Sequence, residues 1–362
     1  MPPPSPSPTD SRVKQLTASP DYSLQVFLWG NPGTTDRDLK LVRDAGFTWI
    51  KQMFQWNYIE GKAKGQYEWH EPDRIVEATK KYDLKILARV DVTPFWARPA
   101  GSDKTLHGPP ENLADYGEFL RDLAARYKGQ IKAYQIWNEP NLMREWGGEA
   151  PDPVKYTALL KIAYEAIKAS DPDAIVISAG LSPTTASGAY AMPDVEFLQK
   201  MYDAGAGKYF DQLGVHGAGF RSEPEADPAQ VALDPVASNG DQSPPELRRV
   251  YAFRHIEDLR QIMIRNGDER KQVAVLEFGW TSDKRSGSPY AWYAVSEAVK
   301  ADYLVRSYTY ARENWQPWIG IMSAIYIAAP HWTPNDEQYY WSVTDPSGAT
   351  RPAYDALKAM RK

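Results

Sequence analysis

The chain contains no cysteine, which removes disulfide frameworks, thiolate nucleophiles and the cysteine-based zinc sites in one step. Histidine is scarce too. None of the five falls in an H-x-x-x-H or H-E-x-x-H spacing, so the sequence offers no dedicated metal site and implies no cofactor. No apolar run approaches the ~20 residues that a membrane-spanning helix needs, so no membrane span is expected. Basic charge is not in excess. Forty-two Lys and Arg face 47 Asp and Glu, for a net charge of −5, and the basic residues are scattered, so nucleic acid is not an expected partner. The G-x-S-x-G elbow of serine hydrolases is missing as well.

What is present suits a large soluble core. At 362 residues with 43% hydrophobic content, the chain has the size of a single α/β barrel. The opening "MPPPSPSPTDS" has too little apolar content to pack, and residues 1–20 are expected to form a disordered linker ahead of a barrel over 21–362. Such a linker resembles what remains when an export signal is trimmed, which predicts a secreted or extracytoplasmic location, with a natural cytoplasmic tail as the alternative.

After residue 20 eight β-rich runs recur: "SLQVFLW", "FTWIKQMF", "LKILARV", "IKAYQIW", "AIVISAG", "FDQLGVH", "QVAVLEF" and "GIMSAIYI". Between them lie stretches of helical spacing. Leu113, Tyr116, Leu120, Leu123 and Tyr127 share one face, as do Tyr156, Leu159, Leu160, Ala163 and Ile167. Strands that are apolar on both faces imply a parallel sheet covered by helices, and eight such units predict a closed (β/α)8 TIM barrel. The rival, an open doubly wound sheet, would carry G-x-G-x-x-G after its first strand. The turn here reads "WGNPGTTDRD", with Thr35 expected to cap the next helix.

In such barrels chemistry gathers where strands end. The fourth run ends Trp137-Asn138-Glu139-Pro140 and the seventh ends Leu276-Glu277-Phe278-Gly279-Trp280. An acid closing an apolar strand is costly unless it faces a polar mouth. Two opposed carboxylates serve glycosidic cleavage, one protonating the leaving oxygen and the other attacking or stabilising the anomeric carbon. Tryptophans at or just beyond strand ends (Trp56, Trp96, Trp280 and Trp332) are expected to stack on sugar rings. His216 ends the sixth run and is a candidate substrate contact, while Arg89 is a candidate either to pair with an acid in the barrel interior or to orient Glu139 from behind. Glu60 reads as a loop anchor. The polar stretch Arg221–Pro245 is expected to form a flexible wall without a core of its own.

These motifs resemble glycoside hydrolase clan A, being most similar to family 39 and its family 5 relatives. The resemblance extends over most of the chain after the linker. It includes "WNYIEGKAKGQYEWHEPDRIV" after strand two, "TPFWA" leaving strand three and "DPSGATRPAYDAL" near the end. It implies a retaining enzyme acting on an oligo- or polysaccharide, with Glu139 as general acid/base, Glu277 as nucleophile and Asn138 on the sugar 2-hydroxyl. Two positions depart from the pattern. Lys51 stands where family members often have arginine, and His216-Gly217-Ala218 replaces His-Pro-Tyr. Aromatics spread over several loops predict an open groove and internal cleavage. The motifs name neither the sugar, the linkage nor the oligomeric state. Transglycosylation by the same two glutamates, or a noncatalytic carbohydrate-binding barrel, remain as alternatives.

Overall fold

The computed structural model describes residues 13–103 and 105–362. All eight runs form strands: β1 Asp21–Gln25, β2 Trp49–Met53, β3 Lys85–Val90, β4 Ile131–Ile136, β5 Ile175–Ile177, β6 Gln212–Ala218, β7 Gln272–Gly279 and β8 Ile319–Ala324. They close into a parallel barrel in the order β1 to β8, as the (β/α)8 expectation requires. By density of contacts the chain divides into two compact units. One comprises Val26–Arg43 and Thr48–Gly214; the other comprises Asp44–Phe47, Val215–Lys362 and the described part of Met1–Gln25.

The first of these units carries α1 Pro32–Asp44, α2 Trp56–Ile59, α3 His70–Lys81, α4 Leu113–Arg126, α5 Pro153–Ser170 and α6 Asp194–Asp203. Both predicted helical faces are found here. Tyr116, Leu120 and Leu123 of α4 and all five residues of the α5 face are fully buried, each large apolar side chain contributing roughly 1.5–3 kcal/mol. The helix starts are set by side chains. Asn112 accepts from the Ala114 N–H (3.1 Å), and Asp152 accepts from those of Val154 and Lys155 (2.9 and 3.0 Å) with Pro153 at the first position. Thr35 is not a cap. Helix α1 already begins at Pro32, and the Thr35 hydroxyl donates back to the Asn31 carbonyl at 2.8 Å.

Two buried tyrosines lock these helices to strand ends. The Tyr116 hydroxyl donates to the Val90 carbonyl (2.8 Å); that of Tyr156 donates to the Ile136 carbonyl (3.0 Å) and accepts from the Ala179 N–H (2.6 Å). Each bond satisfies a backbone group where a strand stops, so the chain leaves β3 and β4 in a fixed direction.

The other unit carries α7 Pro228–Leu233, α8 Pro245–Arg248, α9 Ile256–Arg265, α10 Glu297–Asn314, α11 Glu337–Trp341 and α12 Pro352–Ala359. Two sequence expectations are corrected here. The linker expected over 1–20 falls partly outside the described residues, but from Val13 onward the chain is held. The Gln272 side chain accepts from the N–H groups of Leu16 (2.9 Å) and Thr17 (3.2 Å), and Val13 is buried. The stretch Arg221–Pro245 is likewise not coreless. Val231, Ala237 and Ala252 pack together under Ala226 and Tyr251, and Arg306 pins the start of the segment through Glu223 (2.7 Å) and Glu225 (2.5 Å). Among the described residues no helix is long and apolar enough to cross a membrane.

Candidate active site

At the exit of β4 the backbone turns through left-handed conformations that non-glycine residues rarely adopt: Trp137 has φ 69° and Glu139 φ 41°. Such strain persists only where the surroundings enforce it. Here the Trp137 N–H donates to the Val90 carbonyl (3.0 Å), its indole donates to the Glu145 carbonyl (2.9 Å), and the ring meets Trp146 edge-on at 6.0 Å. The Glu139 N–H is taken by the Gly180 carbonyl (3.0 Å), and its own carbonyl accepts from Leu142 (2.9 Å). Glu139 is therefore placed by backbone bonds on both sides, with its side chain 14% exposed.

Two residues that sequence reasoning passed over complete this turn. Gln135, buried on β4, donates to the Trp137 carbonyl (2.9 Å) and to Asn138 Oδ1 (3.3 Å), which leaves the Asn138 amide hydrogens as its donating end. Asn141 donates to the carbonyls of Ser182 (2.9 Å) and Met192 (3.0 Å) and accepts from the Ser182 N–H (2.9 Å). The signal for Asn141 lay in its place five residues past the end of β4, where an amide side chain can satisfy backbone groups that no ladder reaches. Arg144 Nη2 donates to Glu139 Oε2 at 3.0 Å, from a side chain that is 65% exposed.

The exit of β3 lies in the same unit. Arg89 pairs with Asp91 (2.5 Å), the structural role that competed with orienting Glu139. Lys51 on β2 is fully buried and stands in register with Leu87. Trp56 does not present a face to substrate. It is fully buried, stacked on Phe119 at 5.5 Å, and its indole donates to Glu60 Oε2 at 2.6 Å. Trp96 is half-buried and donates to the Glu60 carbonyl at 2.6 Å. Glu60 also accepts from the Gly65 N–H (2.5 Å), so it is the loop anchor that was expected; burial pushes its carboxyl above the usual range.

In the other unit Glu277 is the half-buried exception in β7, whose remaining seven residues are all buried. His216 lies on β6, 5% exposed. The departure at Gly217 has a packing reason. A Cβ there would come within 2.8 Å of Ile256 Cδ1. Gly219 is more constrained, since a Cβ would stand 2.1 Å from the Trp280 ring. That contact belongs to a second correction: Trp280 is fully buried, donates to the Ser222 carbonyl (3.0 Å) and packs on Tyr303 at 5.4 Å, so it holds the loop after β6 and does not meet a sugar. Trp332 is half-buried, meeting Tyr326 edge-on at 5.5 Å and the His331 ring at 6.2 Å. Among the described residues no group of three or more histidines or carboxylates is arranged to hold a metal ion.

Comparison with known proteins adds the following. The family described as Cellulase (glycosyl hydrolase family 5) matches residues 9–204, more than half of the chain. Comparison with curated proteins gave no match. Among solved structures, a family 39 glycoside hydrolase from the gut symbiont Bacteroides cellulosilyticus WH2 is similar at 20% identity and a TM-score of 0.64, over 96% of this chain and 64% of that one. GH5_18 from Streptomyces cattleya, in complex with GlcNAc, is similar at 13% identity and a TM-score of 0.65, over 94% and 79%. Xylanase 10B from Thermotoga maritima is similar at 13% identity and a TM-score of 0.57, over 96% of each chain. The present chain thus spans under two thirds of the family 39 enzyme, and at these identities the likeness shows the barrel.

Proposed function

The chain belongs to the cellulase family, glycosyl hydrolase family 5, and from that premise we propose that it cleaves its carbohydrate with retention of configuration, using Glu139 as general acid/base and Glu277 as nucleophile. Cleavage of a glycosidic bond follows from the family; the two roles are our reading. One observation carries it: on two strands that are otherwise almost wholly buried, a partly exposed glutamate stands at the exit of β4 and another near the end of β7. Glu139 would protonate the leaving oxygen while Glu277 attacks the anomeric carbon; water, deprotonated by Glu139, would then release the sugar from Glu277. The amide hydrogens of Asn138 would hold the 2-hydroxyl.

The ion pair of Glu139 with Arg144 does not oppose this reading. The Arg144 end of the pair is 65% exposed, and an ion pair open to solvent on one side is weak, so the leaving oxygen can displace Arg144 at low cost. Proton NMR of the reaction at early times tests the mechanism. The first anomer to accumulate is expected to have the configuration of the substrate, and the opposite anomer would exclude a glycosyl–enzyme intermediate.

We infer further that the enzyme cuts within a polysaccharide, a cellulose-type β-glucan being the first candidate from the family description. Half-buried tryptophans in the segments that follow three strands support this: Trp96 after β3, Trp292 after β7, and Trp332 and Trp341 after β8. Product sizing is expected to show mixed oligosaccharides from the earliest time points. Monosaccharide alone at those times would overturn internal cleavage.

A further inference from the structure

One side chain joins the loops that follow β7 and β8. Arg285 lies in the first of these and forks onto Asp283, Nε to Oδ1 at 2.8 Å and Nη2 to Oδ2 at 2.6 Å. Its Nη1 crosses to the second loop, donating to the carbonyls of Pro334 (3.0 Å) and Asn335 (2.6 Å), and its guanidinium lies 4.8 Å from the centre of the Tyr340 ring. Asp283 has no exposed side-chain surface and also accepts from the Ser288 hydroxyl (2.8 Å); the Arg285 guanidinium holds its carboxyl below the usual range. A planar fork meets all of these partners at once, whereas an ammonium is a single point of charge.

The carbonyls that Arg285 grips lie two and three residues beyond Trp332. Asp336 closes that turn by accepting from the Thr333 N–H (2.7 Å) and hydroxyl (2.9 Å). At the other edge Trp341 meets Tyr290 at 6.3 Å and Tyr293 at 6.2 Å, both from the loop after β7. The two loops follow β7, which carries Glu277, and β8, and Arg285 ties one loop to the other.

We propose that Arg285 is a positioning residue for substrate length: it fixes the loop after β8 against the loop after β7, so that Trp332 and Trp341 are held ready for sugar rings beyond the one being cleaved. The proposal rests on the glycosidase reading above. Its physical basis is preorganisation. Stacking on an aromatic held in place costs no ordering of the loop at the moment of binding, and that gain is available only to a substrate long enough to reach it.

The test uses the full chain with cellopentaose, xylopentaose and mannopentaose, and with the shortest p-nitrophenyl glycoside of each series that the wild type cleaves. Arg285→Ala is expected to lower kcat/KM on the cleaved pentasaccharide about tenfold, through KM, and to leave the short aryl glycoside within about twofold. Arg285→Lys keeps a cation beside buried Asp283; it is expected to hold the wild-type Tm and show the same selective loss. Equal losses on both substrates, or none on the pentasaccharide, would overturn the proposal. Hydrogen exchange over residues 331–341 is read in the same variants. Faster exchange supports the clamp, and unchanged exchange removes it whatever the substrate. If the wild type cleaves no probe, the glycosidase reading fails, while the exchange result still decides whether Arg285 holds the loop.

Discussion

Glu277→Ala is expected to lose turnover by roughly 10⁴-fold or more on every substrate, because without a nucleophile no glycosyl–enzyme intermediate can form. Glu139→Ala should behave differently. With poor leaving groups it loses the roughly 10²–10⁴-fold contributed by proton donation, but with a dinitrophenolate leaving group the first step needs no acid and the intermediate accumulates. Azide, which needs no general base, should then accelerate that variant and give a glycosyl azide of retained configuration. An inverted azide from Glu139→Ala would exchange the two roles. Neither effect should come through unfolding. Both carboxylates are partly exposed on the folded chain, so Tm is expected to stay within a few degrees of the wild type, and circular dichroism checks this in the same samples.

The barrel could be read from the sequence because the eight strand runs are rich in apolar residues, and the helices checked between them repeat theirs at helical spacing. Glu139 and Glu277 were legible for the related reason that a charge closing such a strand needs an explanation. What could not be read depends on partners far along the chain. Gln272 satisfies the N–H groups of Leu16 and Thr17 from more than 250 positions away, and nothing in the Pro/Ser-rich start announces it. Trp280 turns inward because Gly219 leaves room for its ring, a vacancy no local pattern records. The segment after β6 looked coreless because its few apolar residues are mostly alanine and valine. They suffice once Arg306 has pinned the strand-side end. Nothing in Lys284, Ser286 and Gly287 around Arg285 marks its grip on the carbonyls of Pro334 and Asn335, about 50 positions along the chain.

Trp56→Ala is expected to cost about 3–5 kcal/mol of stability, the range for deleting a fully buried large aromatic, and not to act on substrate affinity. The ring stacks on Phe119 and meets Trp96 and Tyr116, so its loss leaves a cavity bounded by three aromatics. A second loss follows from the hydrogen bond. Glu60, 2% exposed, would keep the Gly65 N–H but lose the indole donor, adding roughly 1–3 kcal/mol if no other group replaces it. Position 56 stands where a strand ends, which in a barrel suggests a substrate platform, but helix α2 begins at this residue and turns the indole onto α4. The two roles predict opposite measurements. A buried anchor lowers Tm, on the order of 10 °C for a loss of this size, while KM measured well below the transition stays near the wild-type value. A stacking platform would raise KM and leave Tm unchanged, and that outcome would return Trp56 to the substrate site.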